Sequence, residues 1–199
     1  MRPSDRKANP QMRNTEEPSK HADATCVRLL PGSPFHERQE LHRKGYLASL
    51  DPDKLLFGYR ALAGLPQAEG VVGGYAGWDG EFLKGHMAGH YLSAASRMAA
   101  AADDPLLRAR CGLLVSGLAQ CQEALGPGGY LAAFPSAVLD WLEGSAEPNH
   151  GIVVPYYTIH KLLAGLVDAH HYLGDRQALD TALRLAGYIR RRLAGLSAA

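Results

Sequence analysis

The chain has no long hydrophobic run, no excess of one charge and few cysteines, and each shortage removes a class of protein. No stretch approaches the roughly 20 apolar residues that a membrane-spanning helix requires. The segment from Met1 to Thr25 is rich in Arg, Lys, Glu, Pro and Asn and lacks the apolar core of a signal peptide. It reads as a disordered tail, residues 1–25, on a cytoplasmic protein with no membrane partner. With 21 basic and 20 acidic side chains the formal net charge is +1, so no broad field draws the chain to nucleic acid. Cys26, Cys111 and Cys121 are odd in number, far apart and without a CxxC spacing, which fits a reducing compartment rather than a disulfide framework. A P-loop, a GxGxxG turn before a helix, a GxSxG elbow and an HExxH pair are all missing, so nucleotide cofactors and serine hydrolysis have no support.

What the chain does contain is helical punctuation. Ser33-Pro34 supplies an N-cap followed by proline at the first helical position and predicts a helix reaching about Leu50. Asp51-Pro52 repeats the signal, and Gly64 closes that helix after Ala63. Leu65 to Gly80, broken by Gly70, Gly73, Gly74 and Gly77, predicts a loop. From about Glu81 to Ala102 nearly every side is small or apolar, the pattern of a buried helix. Asp103-Asp104-Pro105 then turns into an amphipathic helix with Leu107, Cys111, Leu114, Leu118, Cys121 and Leu125 on one stripe.

A third pair repeats the scheme. Thr158 to Leu173 is mostly apolar, Gly174-Asp175 turns, and Arg176 to Leu193 is amphipathic, with Arg190, Arg191 and Arg192 where positive charge suits the helix dipole. The connection from Gly126 to Tyr157, with a short helix around Ala137 to Glu143, is expected over the mouth of the array. Three inner-plus-outer pairs describe an all-α toroid cut at about half its circumference, with an open apolar edge expected to favour self-association.

Two of the inner helices carry a polar mark. Gly89-His90-Tyr91-Leu92 is echoed by Ile159-His160-Lys161-Leu162, and each histidine is expected near a helix start as a buried polar group that needs a partner. His86 and His90 are four apart and share a helix face, yet no third metal ligand stands in register with them. Two readings therefore stand side by side: hydrogen-bonded structural histidines, or contacts for a hydroxyl-rich ligand. Aromatics beside glycine turns, namely Tyr75, Trp78, Tyr130, Trp141, Tyr156 and Tyr157, suit either sugar platforms or core caps. Asp79, Glu81, Asp140 and Glu143 are the loop carboxylates available for acid–base work, which glycoside hydrolysis performs with a pair.

Four segments in order carry a family resemblance: Val27 to Phe35, Gly85-His86-Met87-Ala88-Gly89-His90-Tyr91-Leu92-Ser93-Ala94, Gly129 to Pro135, and Pro155-Tyr156-Tyr157-Thr158-Ile159-His160-Lys161. Together they resemble the N-terminal part of the β-L-arabinofuranosidase-type glycoside hydrolases, family 127 and relatives. The resemblance implies a partial (α/α)6 toroid, about three of six hairpins over residues 26–199, and a carbohydrate partner with L-arabinofuranose ends. It also implies retaining hydrolysis by a zinc-bound cysteine with a glutamate acid/base, on later helices than these. No catalytic residue, metal ligand or cofactor is therefore assigned to this chain, and the three cysteines do not match the family's cluster. His86, His90, Tyr130, Tyr156, Tyr157 and His160 carry over as substrate contacts. Alternative expectations are a non-catalytic carbohydrate-binding scaffold and another α/α-toroid sugar enzyme, such as an epimerase.

Overall fold

The computed structural model describes residues 24–144 and 151–196, and every regular element in them is helical. The expected tail therefore lies outside the described residues up to residue 23. Among the described residues seven α-helices follow one another: α1 Pro34–Glu40, α2 Pro52–Ala63, α3 His86–Ala102, α4 Pro105–Ala124, α5 Ala137–Leu142, α6 Pro155–Leu173 and α7 Arg176–Leu193. Their starts are set by side-chain caps. The side chains of Ser33, Asp51, Asp104 and Asp175 accept the N–H groups of His36, Asp53, Leu107 and Ala178 at 3.2, 2.9, 3.0 and 3.0 Å, satisfying donors that the helices cannot pair themselves.

The first helix departs from expectation. α-Helical geometry ends at Glu40 and the chain continues as wider turns over Leu41–Tyr46 and a tight turn over Leu47–Ser49. None of the α1 residues is buried, whereas Leu47 and Leu50 are, and Arg43 in the wider turns pairs with Glu40 and with Asp104, so the segment is held from its middle to its far end. The second correction concerns α3, which begins at His86 rather than near Glu81. Gly85 sits at φ +85° with Ala133 Cβ 2.7 Å and Tyr59 Oη 2.9 Å from where a side chain would start, so the helix cannot be extended backwards through it.

Pairs α3–α4 and α6–α7 stack side by side, with α2 against α4. The α4 stripe of Leu107, Cys111, Leu114, Leu118 and Cys121 is fully buried. The closest helix contact is between α3 and α6. Gly89 faces the Lys161 carbonyl and Leu162, Gly165 faces Gly89 and Leu92, and Arg97 pairs with Asp168 at 3.0 Å, so the two helices run in the same direction. Small residues at the crossing let the backbones touch. α3 is not buried all round as expected, because His90, Ala94 and Arg97 are exposed on the side it shares with α6. On α6 and α7, Val167, Leu183 and Leu193 are exposed apolar side chains.

The long connection after α4 also differs from a surface cover. Tyr130, Leu131, Ala132, Ala133 and Phe134 are all buried, and Gln122 donates to the carbonyls of Gly129 at 2.9 Å and Thr181 at 3.1 Å. This apolar run threads through the core beneath the start of α3, while residues 145–150 lie outside the described set.

Candidate functional site

Because α3 and α6 are parallel, their first two turns lie at one end of the molecule, and the candidate residues sort by what they meet there. His86 and His90 stack edge to face with ring centroids 5.4 Å apart, as their four-residue spacing requires. His90 Nε2 lies 3.4 Å from the Tyr157 hydroxyl, long for a hydrogen bond, so both groups keep capacity for a third partner. Lys161 Nζ stands 4.9 Å from the centre of the Tyr157 ring, a cation held on the aromatic face. His90 is exposed rather than buried, and it lies in the second turn of α3 rather than at its start. Partial burial first, then His86 and Lys161, hold its pKa below the usual histidine value, which favours the uncharged ring.

His86 is the buried member of the pair. Its Nδ1 lies 2.8 Å from the Leu83 carbonyl and 3.2 Å from Asp79 Oδ1. Asp79 Oδ1 also accepts the Met87 N–H at 2.8 Å, supplying the cap that Gly85 has no side chain to provide. Burial pushes the Asp79 carboxyl pKa up, against the opposing pull of Met87 N–H and His86. Tyr59, wholly buried, donates its hydroxyl to the Gly85 carbonyl at 2.7 Å and fixes the turn from below.

The remaining candidates part company. Tyr130 is buried against Tyr188 with ring centroids 5.1 Å apart, and its hydroxyl donates to the Phe134 carbonyl, so it serves the core. Tyr156 turns away from Tyr157 and donates to Glu143. His160 is exposed one helical turn after Tyr156. Beside this end of α3 and α6 a cleft of about 360 Å³ is lined by Glu81, Phe82, Lys84, Pro135 and Ile152, with Phe82 and, nearby in sequence, Trp78 exposed.

Two contributions escaped the sequence reading. Lys161 follows Tyr157 by four residues, a spacing that was legible but read only as part of the repeat. Arg192, placed by sequence only as positive charge suited to the helix dipole, is mostly enclosed: it donates to Glu143 Oε1 at 3.0 Å and Oε2 at 2.7 Å, to Tyr188 at 3.0 Å and to Asp140. That guanidinium holds the Glu143 carboxyl below its usual range and, with Asp140, ties α5 to α7. Glu143, a loop carboxylate at first reading, is thus committed to structure.

Residues 26–199 match the family described as β-L-arabinofuranosidase, GH127 catalytic domain. The chain belongs to this family. No curated protein matches it. Membership of the GH127 family makes this a glycoside-hydrolase domain and agrees with the all-helical, toroid-like stacking of its hairpins.

The GH127 resemblance brings zinc with it, and the donor set tests that implication. Among the described residues no group of three or more His, Cys, Asp and Glu side chains converges. Cys26 is exposed at the start of the described chain, while Cys111 and Cys121 are buried on α4 with their thiol pKa values pushed up to about 11 by burial. Zinc binds thiolate, and these thiols are held neutral and apart. The residues do not fit a zinc–cysteine centre, and no step is derived through one. No described helix is long and apolar enough to cross a membrane.

Proposed function

We propose that this domain binds the terminal L-arabinofuranosyl group of a glycan at the shared end of α3 and α6, with His86, His90, Tyr157 and His160 as its contacts. The observation that carries the reading is the His90–Tyr157 pair, an exposed imidazole 3.4 Å from a phenol, beside His86 and Lys161. A sugar offers hydroxyls that donate and accept at close spacing and C–H faces that lie on aromatic rings. Two loosely joined polar groups on a tyrosine-bearing wall match both demands. Tyr130 and Tyr156 then act behind this wall, as core and as brace.

The same geometry favours binding over bond cleavage for these residues. Hydrolysis needs two carboxyl groups flanking the glycosidic oxygen, one of them protonated. Glu143 and Asp140 are paired to Arg192, and Asp79 caps α3, which leaves exposed Glu81 without a partner acid in the set.

Calorimetry with methyl β-L-arabinofuranoside tests the reading. His90→Ala is expected to weaken binding by about tenfold, the loss of one to two ligand hydrogen bonds. Unchanged affinity in His90→Ala and His160→Ala removes both residues from the site. Release of nitrophenol from the corresponding aryl glycoside by the purified chain, surviving zinc chelation, overturns the assignment of chemistry elsewhere.

A further inference from the structure

Two acceptors converge on one nitrogen at the base of the candidate site. The Leu83 carbonyl is 2.8 Å from His86 Nδ1, and Asp79 Oδ1 is 3.2 Å from the same atom. A backbone carbonyl cannot donate, so the Leu83 contact requires Nδ1 to carry a proton. A neutral imidazole has only one such proton, which makes Nε2 a bare acceptor. The arrangement is sealed: the side chains of Asp79 and His86 are 10 % and 11 % exposed, and Tyr59 and Ala133 pack against Gly85 in the intervening turn.

Asp79 is tied to the helix as well as to the ring. Its Oδ1 takes the Met87 N–H at 2.8 Å, and its own backbone carbonyl takes the Gly85 N–H at 3.2 Å. The carboxylate therefore registers the His86 ring against the first turn of α3. We propose that Asp79 is a positioning residue: together with the Leu83 carbonyl it holds the neutral His86 ring as the Nδ1–H tautomer, which presents His86 Nε2 as an acceptor for a ligand hydroxyl beside His90. This deepens the sugar-binding reading and rests on it for the identity of the ligand. A histidine so fixed distinguishes a sugar that donates a hydroxyl at that point from a deoxy or O-methyl analogue that cannot, because the site's acceptor is then left unpaired.

The test reads the ring directly. Nitrogen-15 correlation spectra of the histidine side chains in the whole chain, recorded without sugar at a pH where His86 is neutral, are expected to show Nδ1 protonated and Nε2 bare. A wild-type spectrum with the proton on Nε2 overturns the proposal without any variant. Asp79→Asn keeps an Oδ1 acceptor and is expected to retain the tautomer, whereas Asp79→Ala leaves Nδ1 with the Leu83 carbonyl alone and is expected to admit a fraction of the Nε2–H tautomer and to weaken binding of methyl β-L-arabinofuranoside roughly fivefold, one hydrogen bond's worth. If Asp79→Ala lowers stability but leaves the tautomer pure, Asp79 is a cap alone and the positioning role fails. Since the tautomer is read without ligand, a pure Nδ1–H signal in a chain that ignores arabinofuranoside sinks the sugar reading and leaves the role of Asp79 in place.

Discussion

Gly89→Ala is the sharpest perturbation the packing offers. A Cβ placed on Gly89 lies 2.2 Å from the Lys161 carbonyl oxygen, 2.3 Å from its carbon and 2.5 Å from Leu162 N. Non-bonded carbons rest at about 3.5–4.0 Å, so α6 must retreat by about an ångström or more. All three atoms are backbone, and no rotamer change relieves the clash. Alanine favours an isolated helix over glycine by about 1 kcal/mol, while overpacking a core costs about 1–3 kcal/mol and occasionally more. Contact with helix backbone places this case at the upper end, for a net loss of roughly 2 kcal/mol.

In a protein of this size that loss lowers Tm by roughly 4–8 °C. Gly112, in mid-α4 with nothing within 4 Å of the position a Cβ would take, is the control: Gly112→Ala is expected to raise Tm by a few degrees through propensity alone. Calorimetric or circular-dichroism melting compares the two. Separation of α3 from α6 also parts His90 from Tyr157, so Gly89→Ala should lose arabinofuranoside binding while Gly112→Ala keeps it. A Gly89→Ala protein as stable as wild type refutes the close α3–α6 crossing on which the site is built.

Two further outcomes follow from the electrostatics. His90 titrates below the usual 6.5 because of partial burial, His86 and Lys161, so Lys161→Met is expected to raise its pKa in an NMR titration, and an unmoved value contradicts the placement of Lys161. The sign for stability follows: the His90 contribution is complete above 6.5 and is lost as pH falls below it, since the unfolded chain then binds the proton more readily. Arg192→Met leaves Glu143 and Asp140 without their cation and is expected to cost roughly 2–3 kcal/mol in urea unfolding; a loss below about 0.5 kcal/mol shows the bridge to be a solvated surface pair.

The helix ends were the most legible part of the fold, because caps and stops are local chemistry. Asp51-Pro52, Asp104-Pro105 and Gly174-Asp175 each mark a boundary where the helix begins or turns. Where a tertiary contact decides, periodicity had no access to it. The α3 start depends on Gly85 meeting Tyr59 and Ala133, residues distant in sequence. Similarly, a spacing of four placed His86 and His90 on one face but left open that one is sealed by Asp79 while the other faces outward. Tyr130 and Arg192 show the same limit in reverse: a tyrosine beside glycines suited either a platform or a core cap and is buried, and a terminal arginine suited to the helix dipole is enclosed by Glu143 and Asp140.

Nuclear magnetic resonance mapping of methyl β-L-arabinofuranoside onto the chain tests the central assignment most directly. Saturable shifts of His90, Tyr157 and His160 are expected, with the His86 ring following and Tyr130 unmoved. Saturable shifts confined to another face, or none at millimolar sugar, contradict it.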